Sequence, residues 1–248
     1  MTETQRRVDG MGQPIGFLVE GWQPRPRPRR EPMVGRWCRL EPLDPERHAE
    51  ALFGALAADE EGRCWTYLAY GPFADAESYR TWMTASCLGD DPLFFAVCTL
   101  PDGQPRGVAS YLRIDPAAGS IEVGHILHAP ALQRTRAATE AMFLMMAKAF
   151  ELGYRRYEWK CDSLNAASRA AARRLGFSFE GIFRQATVYK GRNRDTAWYA
   201  AIDSEWPALR AAFQTWLDPG NFDDAGKQRI RLADLTRPIL PRRAEREE

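Results

Sequence analysis

The chain has 248 residues, 45% of them hydrophobic and 27% charged, which is the balance of a soluble globular protein able to bury a sizeable core. A net charge of +1 lacks the positive excess of a dedicated nucleic-acid binder, and no apolar run approaches the roughly 20 residues that span a bilayer. Five cysteines at scattered spacing without Cys-x-x-Cys, and three histidines, make no zinc pattern, so no metal is expected and the thiols are expected free and mostly buried. The N-terminus has no apolar core of signal-peptide type, which points to a cytoplasmic protein.

Residues 1–35 read as an extended arm. Pro24, Pro26, Pro28 and Pro32 are interleaved with Arg25, Arg27, Arg29 and Arg30, a composition that favours polyproline II and excludes a helix or central strand. The arm is either a basic contact surface or a leader lying on the domain, with Ile15, Phe17, Leu18 and Trp22 as apolar anchors. The domain is expected over 36–217. Trp37–Leu43 alternates as a strand, and Asp44 caps a helix to about Ala58, with Pro45 in its first position. A second helix fits Ala76–Cys87, with Gly89 as a stop.

Leu93–Leu100, Gly107–Ile114 and Ser120–His128 follow as a meander of strands joined by short turns. After Pro130 the period changes: Ala138, Ala141, Met142, Met145 and Ala149 recur at helical spacing and read as core. Tyr154–Asp162 is a strand reached by a parallel crossover, and Asn165–Leu175 is a short helix with Gly176 at its left-handed stop. Phe179–Lys190 and Arg194–Ile202 form a hairpin. Ser204 then caps a final helix with an apolar face of Trp206, Leu209, Phe213 and Trp216. Residues 218–248 read as a charged tail, and no internal repeat is visible.

Residues 121–177 carry the functional reading. Gln133-Arg134-Thr135-Arg136-Ala137-Ala138 opens the long helix after a strand, a junction that presents backbone N–H groups to an anion. Asn165-Ala166-Ala167-Ser168 opens the short helix, which ends in Leu175-Gly176-Phe177, and Glu180-Gly181 continues the pattern. Together these pieces resemble the GCN5-related N-acetyltransferases (GNAT), most closely the ribosomal-protein (L7/L12-type) serine N-acetyltransferases. The resemblance covers about residues 36–202. It implies an α/β (α+β) fold with a mixed central sheet of about seven strands flanked by helices. It also implies acetyl-CoA as co-substrate and an amine acceptor, either a protein N-terminus or a small amine. A homodimer is compatible with it.

By the same resemblance, Gln133, Arg134, Thr135, Arg136, Ala137 and Ala138 would hold the pyrophosphate. Ile126, Leu127 and His128 would run beside the pantetheine arm, and Asn165 would contact the cofactor. Arg134 and Arg136 stand where the family usually has glycine; they are phosphate ligands or solvated first-turn residues. Asn165 would also serve as an N-cap. Glu122, matching the family's Glu-Ile-Gly-Tyr glutamate, is the candidate base, or a strand carboxylate facing solvent or an arginine. Ala172 replaces a common tyrosine acid, which leaves Ser168 as the candidate acid or thiolate stabiliser, or a side chain bonded to its own helix. Cys161 is a weak candidate for an acylated nucleophile, and Tyr189, Lys190, Arg192 and Arg194 either border the acceptor groove or form a solvated hairpin face. A non-catalytic acyl-CoA-binding module and an aminoglycoside-type resistance acetyltransferase are the alternatives.

Overall fold

The computed structural model describes residues 7–241. Its centre is an eight-stranded sheet in the order β1-β2-β3-β4-β5-β6-β8-β7. The strands are β1 Met33–Val34, β2 Cys38–Pro42, β3 Leu93–Thr99, β4 Pro105–Asp115, β5 Ser120–His128, β6 Arg156–Asp162, β7 Ser178–Tyr189 and β8 Arg192–Ile202. Neighbours are antiparallel except β5 and β6, which run parallel because helix α3 (Arg136–Glu151) carries the chain back between them. The strand beyond the expected seven is β1, too short for any periodicity to reveal.

Helices α1 (Pro45–Ala57) and α2 (Ala76–Ser86) cover one face of the sheet. Helix α3 and α5 (Trp206–Leu217) cover the other. Strand β3 is buried along its whole length because both faces are covered. Phe94 belongs to the core on the α1/α2 side and meets Trp82 edge-on, and Phe95 belongs to the core on the α3 side and meets Tyr111 edge-on. Helix α1 starts as expected, with the Asp44 carboxylate accepting the Glu46 and Arg47 amides. Helix α4 (Ala166–Arg174) stops at Gly176, whose φ of 88° suits glycine and whose missing Cβ makes room for Leu209.

Three expectations are corrected. Ser204 does not cap α5: Glu205 is the N-cap, and the Ser204 amide is taken by the Asp203 side chain. Ile15 and Leu18 do not anchor the arm, since each is more than half exposed, and Phe17, exposed to the same degree, meets the domain only through the Arg155 guanidinium 5.6 Å from its ring centre. Of the expected apolar anchors Trp22 holds, its ring lying over Gly119 and its Nε1 donating to the Ala117 carbonyl (2.8 Å), and polar bonds do the rest, from the Arg25 amide to the Pro116 carbonyl (3.0 Å) and from Arg30 to the Leu88 carbonyl (2.7 Å). A polyproline II segment leaves its own backbone groups free, so it docks through them and through long cationic side chains. The segment after α5 is also not a loose tail. Asn221 bonds the Trp216 and Ile230 carbonyls, and Leu232 and Thr236 of α6 (Leu232–Thr236) are buried. Among the described residues no helix is long and apolar enough to cross a membrane.

Candidate active site

Strands β5 and β6 pair only from Ser120–Val123 against Arg156–Trp159. Beyond Val123 they part, and Gly124–His128 have no strand on that side. A bulge makes the opening. Val108 pairs with Leu127 but Ser110 pairs with Gly124, so an extra residue of β5 is accommodated there, and His125 takes φ of 50°. Bulges bend a strand and re-aim its groups. Here the bulge also resets the alternation, so that Glu122, His125 and Leu127 all face the α1/α2 side, while Val123 and Ile126 pack toward α3. The backbone of Ile126, Leu127 and His128 lines the wedge, while the Leu127 side chain belongs to the core.

The wedge leads to the turn before α3. Gln133 Nε2 donates to the His128 carbonyl at 3.0 Å, and Arg134 sits at φ of 60°. Thr135 is the N-cap, its hydroxyl accepting the Ala138 amide at 3.1 Å. The Arg136 and Ala137 amides lie in the first turn, where no intrahelical acceptor exists. Arg134 is exposed and its side chain is open to solvent. The Arg136 guanidinium is stacked between Trp37 (4.1 Å to the ring centre) and Phe222 (4.7 Å), so what it offers the turn is its amide. Glu140, one turn on, accepts the Arg36 (2.8 Å), Trp37 (2.6 Å) and Cys38 (2.9 Å) amides. Gly35 has no Cβ to collide with that carboxylate. A free first turn, a left-handed residue before it and an unpaired strand edge leading to it fit acetyl-CoA, whose pyrophosphate needs donors and whose amide arm needs a strand partner.

Glu122 is buried on the α1/α2 side of the sheet. Arg113 Nη1 reaches both its oxygens at 2.7 Å, and Lys160 Nζ reaches one at 2.9 Å. Lys160 also pairs with Glu158 (2.7 Å) and lies 3.7 Å from the centre of the Trp198 ring. Burial pushes the Glu122 carboxyl above the ordinary glutamate range, and the two cations pull it back only in part. Beside it Asp91, Arg113, Asp115, Glu158, Lys160 and Trp198 line an open groove of about 500 Å³. The Tyr70 hydroxyl lies 3.2 Å from His125 Nδ1. Burial lowers both His125 and His128 to about 4, which keeps both rings neutral.

Ser168 lies on the opposite face. Strand alternation sends Trp159 and Cys161 to the α3 side and Glu158 and Lys160 to the groove. The Ser168 hydroxyl accepts the Trp159 indole N–H at 3.0 Å, so its own hydrogen remains for an acceptor, and Cys161 is the neighbour it bonds. Asn165 caps α4 through the Ser168 amide at 3.0 Å. Burial raises the Cys161 thiol, the opposite of an activated nucleophile. The β7–β8 hairpin reaches over the end of the wedge: Tyr189 donates to Asp162 (2.8 Å) and Lys190 to the Trp65 carbonyl (2.8 Å).

The structure thus places Glu122 and Ser168 on opposite faces of the sheet beside one opening, with the 133–138 turn at its end. Sequence reasoning missed Asp91 and Arg113, since nothing local to either residue signals the contact, and it gave no role to Lys160. Buried Glu41, His48 and Cys98 also converge, with ligand-type atoms within 4.8 Å of one another. His48 Nδ1 accepts the Asp44 amide at 3.0 Å, and Nε2 stands 3.5 Å from a Glu41 oxygen.

Comparison with known proteins agrees with this fold. A family model described as an acetyltransferase (GNAT) domain matches residues 38–178. A GCN5-related N-acetyltransferase from Brucella melitensis is 48% identical, with a TM-score of 0.86 over 88% of this chain and 100% of that one. A GNAT-family protein from Chromobacterium violaceum is 46% identical, with a TM-score of 0.74 over 79% of this chain and 98% of that one. An acetyltransferase from Salmonella typhimurium that modifies the N-terminal serine of ribosomal protein L7/L12 shares the fold at 22% identity, with a TM-score of 0.57 over 69% of this chain and 99% of that one. No curated protein matches the chain.

Proposed function

The chain belongs to the GCN5-related N-acetyltransferase family, and on that premise we propose that it moves the acetyl group of acetyl-CoA directly to a primary amine, with Glu122 as base and Ser168 assisting the departing thiolate. The observation that carries this reading is the wedge itself, with a buried carboxylate on one face and, on the other, a hydroxyl whose hydrogen is turned to the Cys161 sulfur. Acetyl-CoA supplies the acetyl group as a thioester. The Arg136 and Ala137 amides bind its pyrophosphate, and the β5 backbone from Gly124 to His128 orients its arm. The amine enters from the Glu122 side, and a Glu122 oxygen accepts its proton directly or through one water. The nitrogen–carbon bond forms as the carbon–sulfur bond breaks, and the Ser168 hydroxyl donates to the sulfur. No acyl-enzyme is needed, consistent with a Cys161 thiol that burial keeps protonated.

The acceptor is a free amino terminus or a small amine. The test is release of free coenzyme A with a panel of Ser- and Met-initiated peptides, amino acids, polyamines and aminoglycosides. Transfer to at least one member is expected, with a Ser-initiated peptide as the first candidate by likeness to the L7/L12-type enzyme. Tight acetyl-CoA binding with no transfer to any member would instead make this a cofactor-binding module.

A further inference from the structure

We propose that Asp91 is a positioning residue for acetyl transfer, acting through Arg113 on Glu122; the proposal rests on the reading of Glu122 as the base. The β4–β5 pairing is irregular between Leu112 and Asp115, where the amides of Arg113 and Ile114 turn to a side chain. Asp91, just before β3, supplies both acceptors: Oδ1 takes the Arg113 amide at 2.8 Å and Oδ2 takes the Ile114 amide at 2.9 Å. Between them Arg113 is held at φ of 47°, a conformation that costs a non-glycine residue free energy and persists only where its surroundings impose it.

That conformation has a use. By strand alternation Arg113 would face the α3 core with Tyr111, a place that does not accept a guanidinium. The left-handed turn brings the side chain back to the groove, and Ile114 takes the core position with 5% exposure. There Nη1 bridges both Glu122 oxygens. The charged groups facing Glu122 are Arg113 from β4 and Lys160 from β6, with Glu158 behind Lys160. On its own strand His125 stays neutral. Arg27 of the arm stands 3.8 Å from Asp91. Losing the Asp91 grip lets Arg113 relax to an ordinary φ and withdraw its charge from a buried carboxylate, which then holds its proton to higher pH.

Two measurements test this on the full chain. One follows the Glu122 carboxyl carbon by NMR through a pH titration; the other follows kcat/KM against pH with the most active amine of the panel. Asp91→Ala and Arg113→Gln should each move the Glu122 titration and the acidic limb of the rate profile upward by about half a pH unit or more. Acetyl-CoA affinity should stay unchanged, and in a Glu122→Gln background Asp91→Ala should have no further effect on rate. Asp91→Asn, which keeps one acceptor for the two amides, covers the case in which the alanine variant does not fold, and its shift should be smaller and of the same sign. A folded Asp91 variant whose Glu122 titrates as in wild type overturns the proposal, as does an Asp91→Ala rate loss that persists undiminished in Glu122→Gln. If Glu122→Gln alone turns over like wild type, the base assignment itself falls and the positioning role falls with it. An impaired Glu122→Gln beside normal Asp91 and Arg113 variants removes the positioning role only.

Discussion

The Glu122 carboxylate meets two cations where water is largely excluded, so the isosteric Glu122→Gln change removes the charge while keeping the shape. A positioned base contributes about 10²–10⁴ in rate, and a loss of that order in kcat with little change in acetyl-CoA affinity is expected from stopped-flow and calorimetric measurements. The direction of the pH dependence follows from burial. The carboxyl titrates above the ordinary glutamate range, wild-type activity rises as pH passes through that raised value, and the glutamine variant lacks that limb. His125 and His128, lowered to about 4, contribute no limb in the ordinary histidine range. Ser168→Ala should lower kcat less than Glu122→Gln does, since water can take the place of a hydroxyl, and it also leaves the Trp159 indole N–H without its acceptor. Cys161→Ala should retain activity. An acetylated Cys161 trapped by mass spectrometry would overturn direct transfer.

The first two turns of α3 are pinned from three directions, and that is what gives the cofactor turn a fixed shape. Glu140 ties them to the amides between β1 and β2, Thr139 accepts from Arg174 at the end of α4, and Arg136 is clamped by Trp37 and Phe222. Glu140→Gln keeps one acceptor oxygen but opposes an amide with an NH₂ group, a loss of about 1.5–3 kcal/mol, or roughly 3–12 °C in Tm by calorimetry. Truncation after Leu217 frees Arg136 on one side and uncovers Trp216, and it should weaken acetyl-CoA binding even though the removed segment lies outside residues 38–178. An unaltered affinity in the folded truncation would show that the turn does not depend on this clamp. These contacts mark the limit of what the sequence made legible. Strand β5, helix α3 and the Asn165 cap were readable because period, cap chemistry and glycine stops are local. The β5 bulge was not, because a one-residue shift of phase inside a nine-residue strand leaves too few residues on either side for the alternation to reveal it. The Arg136 clamp was not, because Phe222 comes from a segment whose composition reads as solvated.

The molecule has two functional ends, and the arm belongs to the one away from the cofactor turn. Its contacts are with the β4–β5 turn at Pro116 and Ala117, the Leu88 loop before β3, and Gly153 and Arg155 between α3 and β6. The 129–135 turn lies at the opposite end of β5. Arm and cofactor should therefore be separable by deletion. Removing residues 1–30 leaves β1 in place but takes away the Trp22 and Arg25 bonds and the Arg27–Asp91 contact. A few solvent-edge hydrogen bonds and a half-buried indole amount to about 1–2 kcal/mol, which for a domain of this size is roughly 2–8 °C in Tm. Acetyl-CoA affinity should not change, because none of the lost contacts reaches α3. Limited proteolysis gives an independent measure. Cleavage in the full chain should be slow across 22–30, where the arm is bonded to the domain, and faster across 15–19, where Ile15, Phe17 and Leu18 are more than half exposed. A deletion that leaves Tm unchanged, together with uniform rapid cleavage through 15–30, would mean that the arm's polar bonds do not hold it in solution.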